Sequence, residues 1–180
     1  MKPLFPFLLL LTSPAAADDR AQLIQTLENS GTHLFEDERR EVRVNGCQMT
    51  TYRWRELADH GWVLWTSFQF DMLDAQLDED KRVLGKKYAY AKLSDGPPEI
   101  GFAVYGFSMR EGTLARQERS ILREPSRDTE PSPRGDGNSH YFEWRESMLV
   151  SMKGPDVEAK AISFTSTYDA YVKEYCTFSS

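Results

Sequence analysis

Apolar positions along the chain switch between a helical period and a two-residue period. Asp18 or Asp19 can cap a helix in which Leu23, Ile24 and Leu27 share one face, and Gly31 is a natural stop. Beyond residue 40 the period falls to two: Val42 and Val44 alternate with charged neighbours. Near the other end Val157, Ala161, Phe164, Tyr168, Val172 and Tyr175 recur at spacings of three and four, one apolar stripe along about five helical turns. Gly154-Pro155-Asp156 opens that helix, with proline in the first turn and an acid near the positive end of its dipole. The order predicted is helix, strands, long loop, strand, helix. Its fold class is α+β: a bent antiparallel sheet of about six strands, with a short N-terminal helix and a longer C-terminal helix packed on it.

The strands can be registered from their turns. Asn45-Gly46 suits a two-residue hairpin, which sets Val44 opposite Cys47 and Val42 opposite Met49. A second turn at Ala58-Asp59-His60-Gly61 sets Leu57 opposite Trp62, Thr51 opposite Phe68 and Met49 opposite Phe70. Together they place Val42, Val44, Cys47, Met49, Leu64, Phe68 and Phe70 on one face, the face the closing helix covers. The other face then pairs Trp54 with Trp65, Tyr52 with Ser67 and Thr50 with Gln69.

A third hairpin, looping through Ser94 to Glu99, directs Ala89, Ala91, Leu93, Ile100, Phe102 and Val104 to the core and Tyr88, Tyr90, Tyr105 and Phe107 outward. Thr113 to Arg123 reads as a charged helix or a polar edge strand, with the strand preferred. Residues 124–140, rich in proline, glycine and charge, are expected to form a mobile loop. His140 to Met152 reads as a final strand with Phe142, Trp144, Met148 and Val150 on one side.

Composition adds a compartment. Lys2, the apolar run from Leu4 to Leu11 and Ala15-Ala16-Ala17 have the form of a secretory signal peptide cleaved after Ala17. That run is too short to span a bilayer, so no transmembrane anchor is expected, and residues 18–180 form a single globular domain in the periplasm or outside the cell. Residues 1–17 carry one lysine and no acid, so the remaining 163 residues hold 21 basic and 28 acidic side chains, a charge of −7. Such a balance, without a basic run, argues against nucleic acid as a partner. In an oxidising compartment Cys47 and Cys176, the only two cysteines, are expected to form a disulfide joining the start of the sheet to the end of the last helix.

Catalytic and cofactor signatures do not appear, which leans the reading away from an enzyme. His33, His60 and His140 lie beside predicted turns or strand ends without metal spacing, and no metal or cofactor is expected. Asp71, Asp74, Asp78, Glu79 and Asp80 lack the pattern of a calcium loop and read as a solvated turn. Arg134-Gly135-Asp136 spells an adhesion tripeptide in the long loop, a match too short to carry weight. The serines lack a nucleophile elbow.

The best functional lead is the outer face. Tyr52, Trp54, Trp65, Tyr88 and Tyr105, interleaved with hydroxyls and amides, could stack on a sugar or grip an apolar chain, although the same rings can also serve as cross-strand pairs or a second core layer. The function expected is therefore a non-enzymatic binding or envelope-accessory domain for an unknown envelope ligand or protein. One alternative is a carrier whose enclosed cavity, lined by Phe68, Phe70, Phe102 and Phe164, holds a small apolar ligand. Another is a hydrolase assembled from distant residues, such as the carboxyls of Asp71 and Glu143.

Overall fold

The computed structural model describes residues 14–78, 87–93, 100–123, 129–131 and 139–176. The Ser94 to Glu99 loop, most of residues 124–140 with Arg134-Gly135-Asp136, the acids Glu79 and Asp80, and residues 1–13 of the expected export segment lie outside them. Helix α1 (Pro14–Gly31) runs through the expected cleavage point, and α2 (Val157–Tyr175) closes the chain. Between them lie β1 (His33–Phe35), β2 (Glu38–Asn45), β3 (Gln48–Leu57), β4 (Gly61–Asp71), β5 (Ala75–Leu77) and β6 (Ala89–Lys92). The series continues with β7 (Gly101–Met109), β8 (Ala115–Ser120), β9 (Glu130–Pro131), β10 (Ser139–Arg145) and β11 (Ser147–Gly154).

The fold class is α+β, with both helices packed on antiparallel sheet. The strands form two ladders. The larger has the order β1-β2-β3-β4-β8-β10-β9; the smaller runs β11-β7-β5, with β6 also paired to β7. Both ladders bend around the helix pair, so one core draws on both: Phe70 of β4 meets Phe107 of β7 with ring centroids 5.3 Å apart, Tyr105 stacks on Phe164 of α2 at 4.8 Å, and Phe107 meets Tyr168 edge-on at 5.2 Å. Of the predicted stripe of α2, Val157, Ala161, Phe164 and Tyr168 are buried, joined by Tyr171, while Val172 and Tyr175 are partly buried. Pro155 precedes the helix, and its N-cap, Asp156, has φ 58° with no side-chain cap bond.

The first hairpin turns one residue later than the Asn-Gly rule predicts. Asn45 pairs with Gln48, so Gly46 and Cys47 are the two loop residues and Val44 faces Met49 instead of Cys47. Only Gly46, at φ 60°, has positive φ there, as a type II′ turn requires of its first central residue. The register thereby moves by two residues, which leaves every side chain on its expected face. Val42 and Met49 are fully buried as a result. Cys47 at the turn reaches Cys176, the residue that ends α2, with Cα atoms 5.6 Å apart. In the chain-entropy model, closing a loop of 129 residues contributes roughly 4–5 kcal/mol.

The β3–β4 pairing corrects a second expectation. Leu57 pairs with Gly61 rather than Trp62, and the ladder recovers the predicted register through a bulge between Arg53 and Trp54 of β3, where Trp65 of β4 is the extra residue. Trp54 therefore lies opposite Leu64. Leu64, fully buried, shares the Trp54 face and not the helix-covered face expected for it.

The third hairpin has the predicted register, Ala89 opposite Val104 and Ala91 opposite Phe102, with its faces exchanged. Ala103, Tyr105 and Phe107 are buried against α2, while Phe102 and Val104 lie on the other side. The larger rings fill the space the helices leave. His140 to Met152 is likewise two strands: β10 belongs to the larger ladder, β11 to the smaller, and Phe142 and Trp144 do not share a face with the buried Met148 and Val150.

Gly31 marks where α1 gives way to the sheet. A Cβ there would sit 2.3 Å from Val42 Cγ2 and 3.1 Å from Phe164, so glycine lets helix, strand and α2 meet at one point. Gly31→Ala is expected to lower folding stability by about 1–3 kcal/mol. Thermal denaturation of the oxidised protein measures it, and an unchanged melting temperature would mean that the close approach is slack.

A candidate anion-binding cleft

The face of the larger sheet that covers the helices changes character along its strands. Near α2 it carries Val42, Met49, Phe70 and Ala115; farther along the same strands it carries Arg40, Thr51, Arg53, Thr66, Gln117 and Arg119. The helices do not reach that end. Between it and β11 lies an open hollow of about 820 Å³ containing Arg53, Thr66, Phe68, Gln117, Arg119 and Arg145, continued by a smaller one of about 230 Å³ reaching Arg40 and Ser151.

Four arginines here are organised around two glutamates. Glu38 accepts from Arg40 Nε at 2.6 Å and from Arg53 Nε and Nη2 at 2.9 and 2.5 Å, while Arg40 Nη2 donates to Ser151 Oγ at 2.7 Å. Glu143 accepts from Arg145 Nη2 and lies 3.6 Å from Arg119 Nε; Arg145 Nε donates to Gln117 Oε1 at 2.9 Å. A guanidinium has five N–H donors and a carboxylate about four acceptor positions, so Arg40 and Arg53 around Glu38 keep donor capacity, while Glu146 adds a further carboxylate at the edge of the larger hollow. The protein as a whole is acidic, which makes this grouping of arginines a departure from its surroundings.

Charge in the cleft is held by environment. Burial opposes ionisation of Glu38, but Arg40 and Arg53 outweigh it and keep the carboxyl below its ordinary range. Burial also lowers Arg40, countered by Glu38. His33, on β1 beside this cluster, is pushed down to about 4 by burial and by the charges of Arg40 and Lys160. Its Nε2 accepts the backbone N–H of Lys153 on β11 at 3.4 Å, a bond that requires that nitrogen to be unprotonated.

The rim is apolar. Leu114 and Leu149 line the larger hollow and remain 46% and 57% exposed, whereas the exposed Trp144, which also borders it, alternates with Glu143 and Arg145 along β10 and so turns its ring to the Trp54 side. Cationic floor and apolar rim together suit a ligand that carries both a carboxylate and apolar surface.

The residues expected to form an aromatic face are dispersed. Tyr52 and Trp54 do lie together, stacked at 6.4 Å, with the Arg39 guanidinium 5.0 Å from the Trp54 ring and 5.4 Å from that of Trp62. The bulge turns Trp65 to the opposite side, where Arg55 stands 5.4 Å from its ring. Tyr105 and Tyr88 are buried, 1% and 5% exposed, and belong to the helix-side core. Nor do the four phenylalanines line one space, since Phe70 and Phe164 are packed in the core and Phe102 is on the far side of β7.

A third grouping escaped the sequence. On the Trp54 side, Ser67 Oγ donates to Glu118 Oε2 at 3.3 Å, and Glu118 Oε1 lies 3.3 Å from Nδ1 of His140, which is fully buried rather than exposed at a strand end. The carboxylate stands between hydroxyl and imidazole, so the histidine is not placed to take the serine proton, as nucleophilic catalysis needs. Asp71 and Glu143 are each committed elsewhere, Asp71 Oδ1 accepting the Leu73 N–H at 2.9 Å and Glu143 engaging the arginines. Among the described residues, no three His, Cys, Asp or Glu side chains form a group that could hold a metal, and no helix is long and apolar enough to cross a membrane.

No family model, curated protein or solved structure matches this chain.

The displaced titration of His33 has a measurable consequence. Its folded pKa lies below 6.5, so the unfolded chain takes up the proton first, and stability present above pH 6.5 is lost as pH falls toward 4, at up to about 1.4 kcal/mol per pH unit. His33→Gln is expected to flatten urea-denaturation stability across that window. The Glu38 contribution is lost only as pH falls through the ordinary carboxylate value of 4.5 toward its depressed folded value, so it touches only the acid end of that window. An unaltered slope between pH 6.5 and 4 in the variant would assign the dependence to other groups.

Proposed function

We propose that this protein is an exported, non-enzymatic binding domain of the periplasm or extracellular space, and that the arginine cleft takes a ligand bearing a carboxylate and an apolar part. The observation that carries this reading is the grouping of Arg53, Arg119 and Arg145 in an open hollow whose rim exposes Leu114 and Leu149. Export rests on the signal-like leader, and the disulfide supports it because such bonds persist in oxidising compartments.

A second reading keeps a ligand on the other side of the sheet, at Tyr52 and Trp54, where an arginine already approaches the ring faces. A planar or sugar-like ligand would suit that surface.

One titration separates them. Intrinsic fluorescence is followed while the oxidised protein is titrated with glutarate, medium-chain carboxylates and glycan fragments. The cleft reading expects saturable carboxylate binding and affinity at least tenfold lower, about 1.4 kcal/mol, in Arg53→Gln and Arg145→Gln. Binding should also weaken as salt rises. Glycan binding lost in Trp54→Ala and retained in the arginine variants would move the site to the outer face.

A further inference from the structure

The cleft is bounded by an unpaired strand edge. Among the described residues β11 pairs with β7 alone. Antiparallel strands alternate residues that bond inward with residues that bond outward. Glu146 accepts from Met109 across the ladder at 2.7 Å, and the register pairs Met148 with Phe107 and Val150 with Tyr105, so these even-numbered positions bond toward β7. Ser147, Leu149, Ser151 and Lys153 therefore present N–H and C=O to the free edge. The Lys153 N–H confirms the phase: it is the one His33 receives. The histidine closes one end of the edge, and Ser147, Leu149 and Ser151 border the two hollows.

The geometry points to a more specific occupant, and this inference rests on the cleft reading above: an extended acidic polypeptide segment that adds a strand to β11, with carboxylates directed to Arg53 and Arg145 and alternate apolar side chains against Leu149. Strand addition supplies affinity through the main chain and selectivity through alternate side chains. Three outward-bonding residues span roughly 14 Å at about 3.4 Å per residue, enough for a peptide of about five residues. A long bare edge otherwise invites pairing with any chain; here the arginines beside it restrict the choice to an acidic one.

The test uses the full oxidised, leader-free protein, labelled with ¹⁵N, and four kinds of probe. These are a capped octapeptide alternating glutamate and valine, its lysine-for-glutamate counterpart, two versions N-methylated at alternate residues in the two phases, and glutarate. Expected are saturable binding of the acidic peptide, amide exchange slowed at least tenfold at Ser147, Leu149 and Ser151, and at least tenfold weaker binding of the lysine peptide and of one N-methylated phase. Equal binding of both N-methylated phases to the parent, or binding without slowed exchange on β11, would overturn strand addition. Glutarate binding without peptide binding would overturn it too while leaving the anion cleft intact; failure of both would remove the cleft reading itself. Protection of these amides before any peptide is added, with a mass near twice the monomer's, would give the edge to a second copy of the chain and overturn the proposal.

Discussion

The larger sheet outruns the helices that cover it. That mismatch separates an apolar part of one continuous face from a polar part. Where α2 and α1 lie on it, Phe70, Tyr105 and Phe107 from the two ladders and Phe164 and Tyr168 from α2 fill a single interior. Past the end of that cover the same strands carry Arg40, Arg53, Thr66, Gln117 and Arg119 instead, of which Arg40, Thr66 and Gln117 are buried and hydrogen-bonded. The cleft is thus a product of unequal lengths. Its polarity follows from the absence of a helix above it.

Electrostatics then shapes what remains. Glu38 bridges Arg40 and Arg53 through short charge-assisted bonds that fix both guanidinium planes, and Glu143 with Gln117 holds Arg145. Ser151 ties Arg40 to β11, and the His33 imidazole ties β1 to the same strand, so both ladders are joined across the cleft by side chains rather than by sheet hydrogen bonds. A hollow built this way can keep its shape while it stays wet.

Much of the architecture was legible in the chain. Helical spacing identified α2 and its buried stripe, the paired cysteines joined as expected, and alternation put Val42, Val44 and Met49 on the covered face even though the first turn fell one residue later. That error was harmless because strand parity repeats every two residues. The bulge was harmful for the opposite reason: a single extra residue at Trp65 exchanges the faces beyond it, and nothing in the local sequence announces it. On β7 both faces alternate plausible apolar residues, so periodicity could not say which one the helix would cover; the volume available beneath α2 chose Tyr105 and Phe107. The candidate cleft was illegible for a different reason. Arg40, Arg53, Arg119 and Arg145 come from four strands, and each reads alone as an ordinary charged position in a strand. A signal was present in retrospect: Arg53, Gln117 and Arg119 have the same parity as core residues of their own strands.

The bond between Cys47 and Cys176 encloses nine of the eleven strands, β3 through β11, together with α2, in one covalent ring. A protease that cuts once within that ring opens the backbone without releasing a fragment, since the two pieces remain joined through sulfur. Loops that connect the strands on the ring can therefore be long and polar without putting the integrity of the molecule at stake.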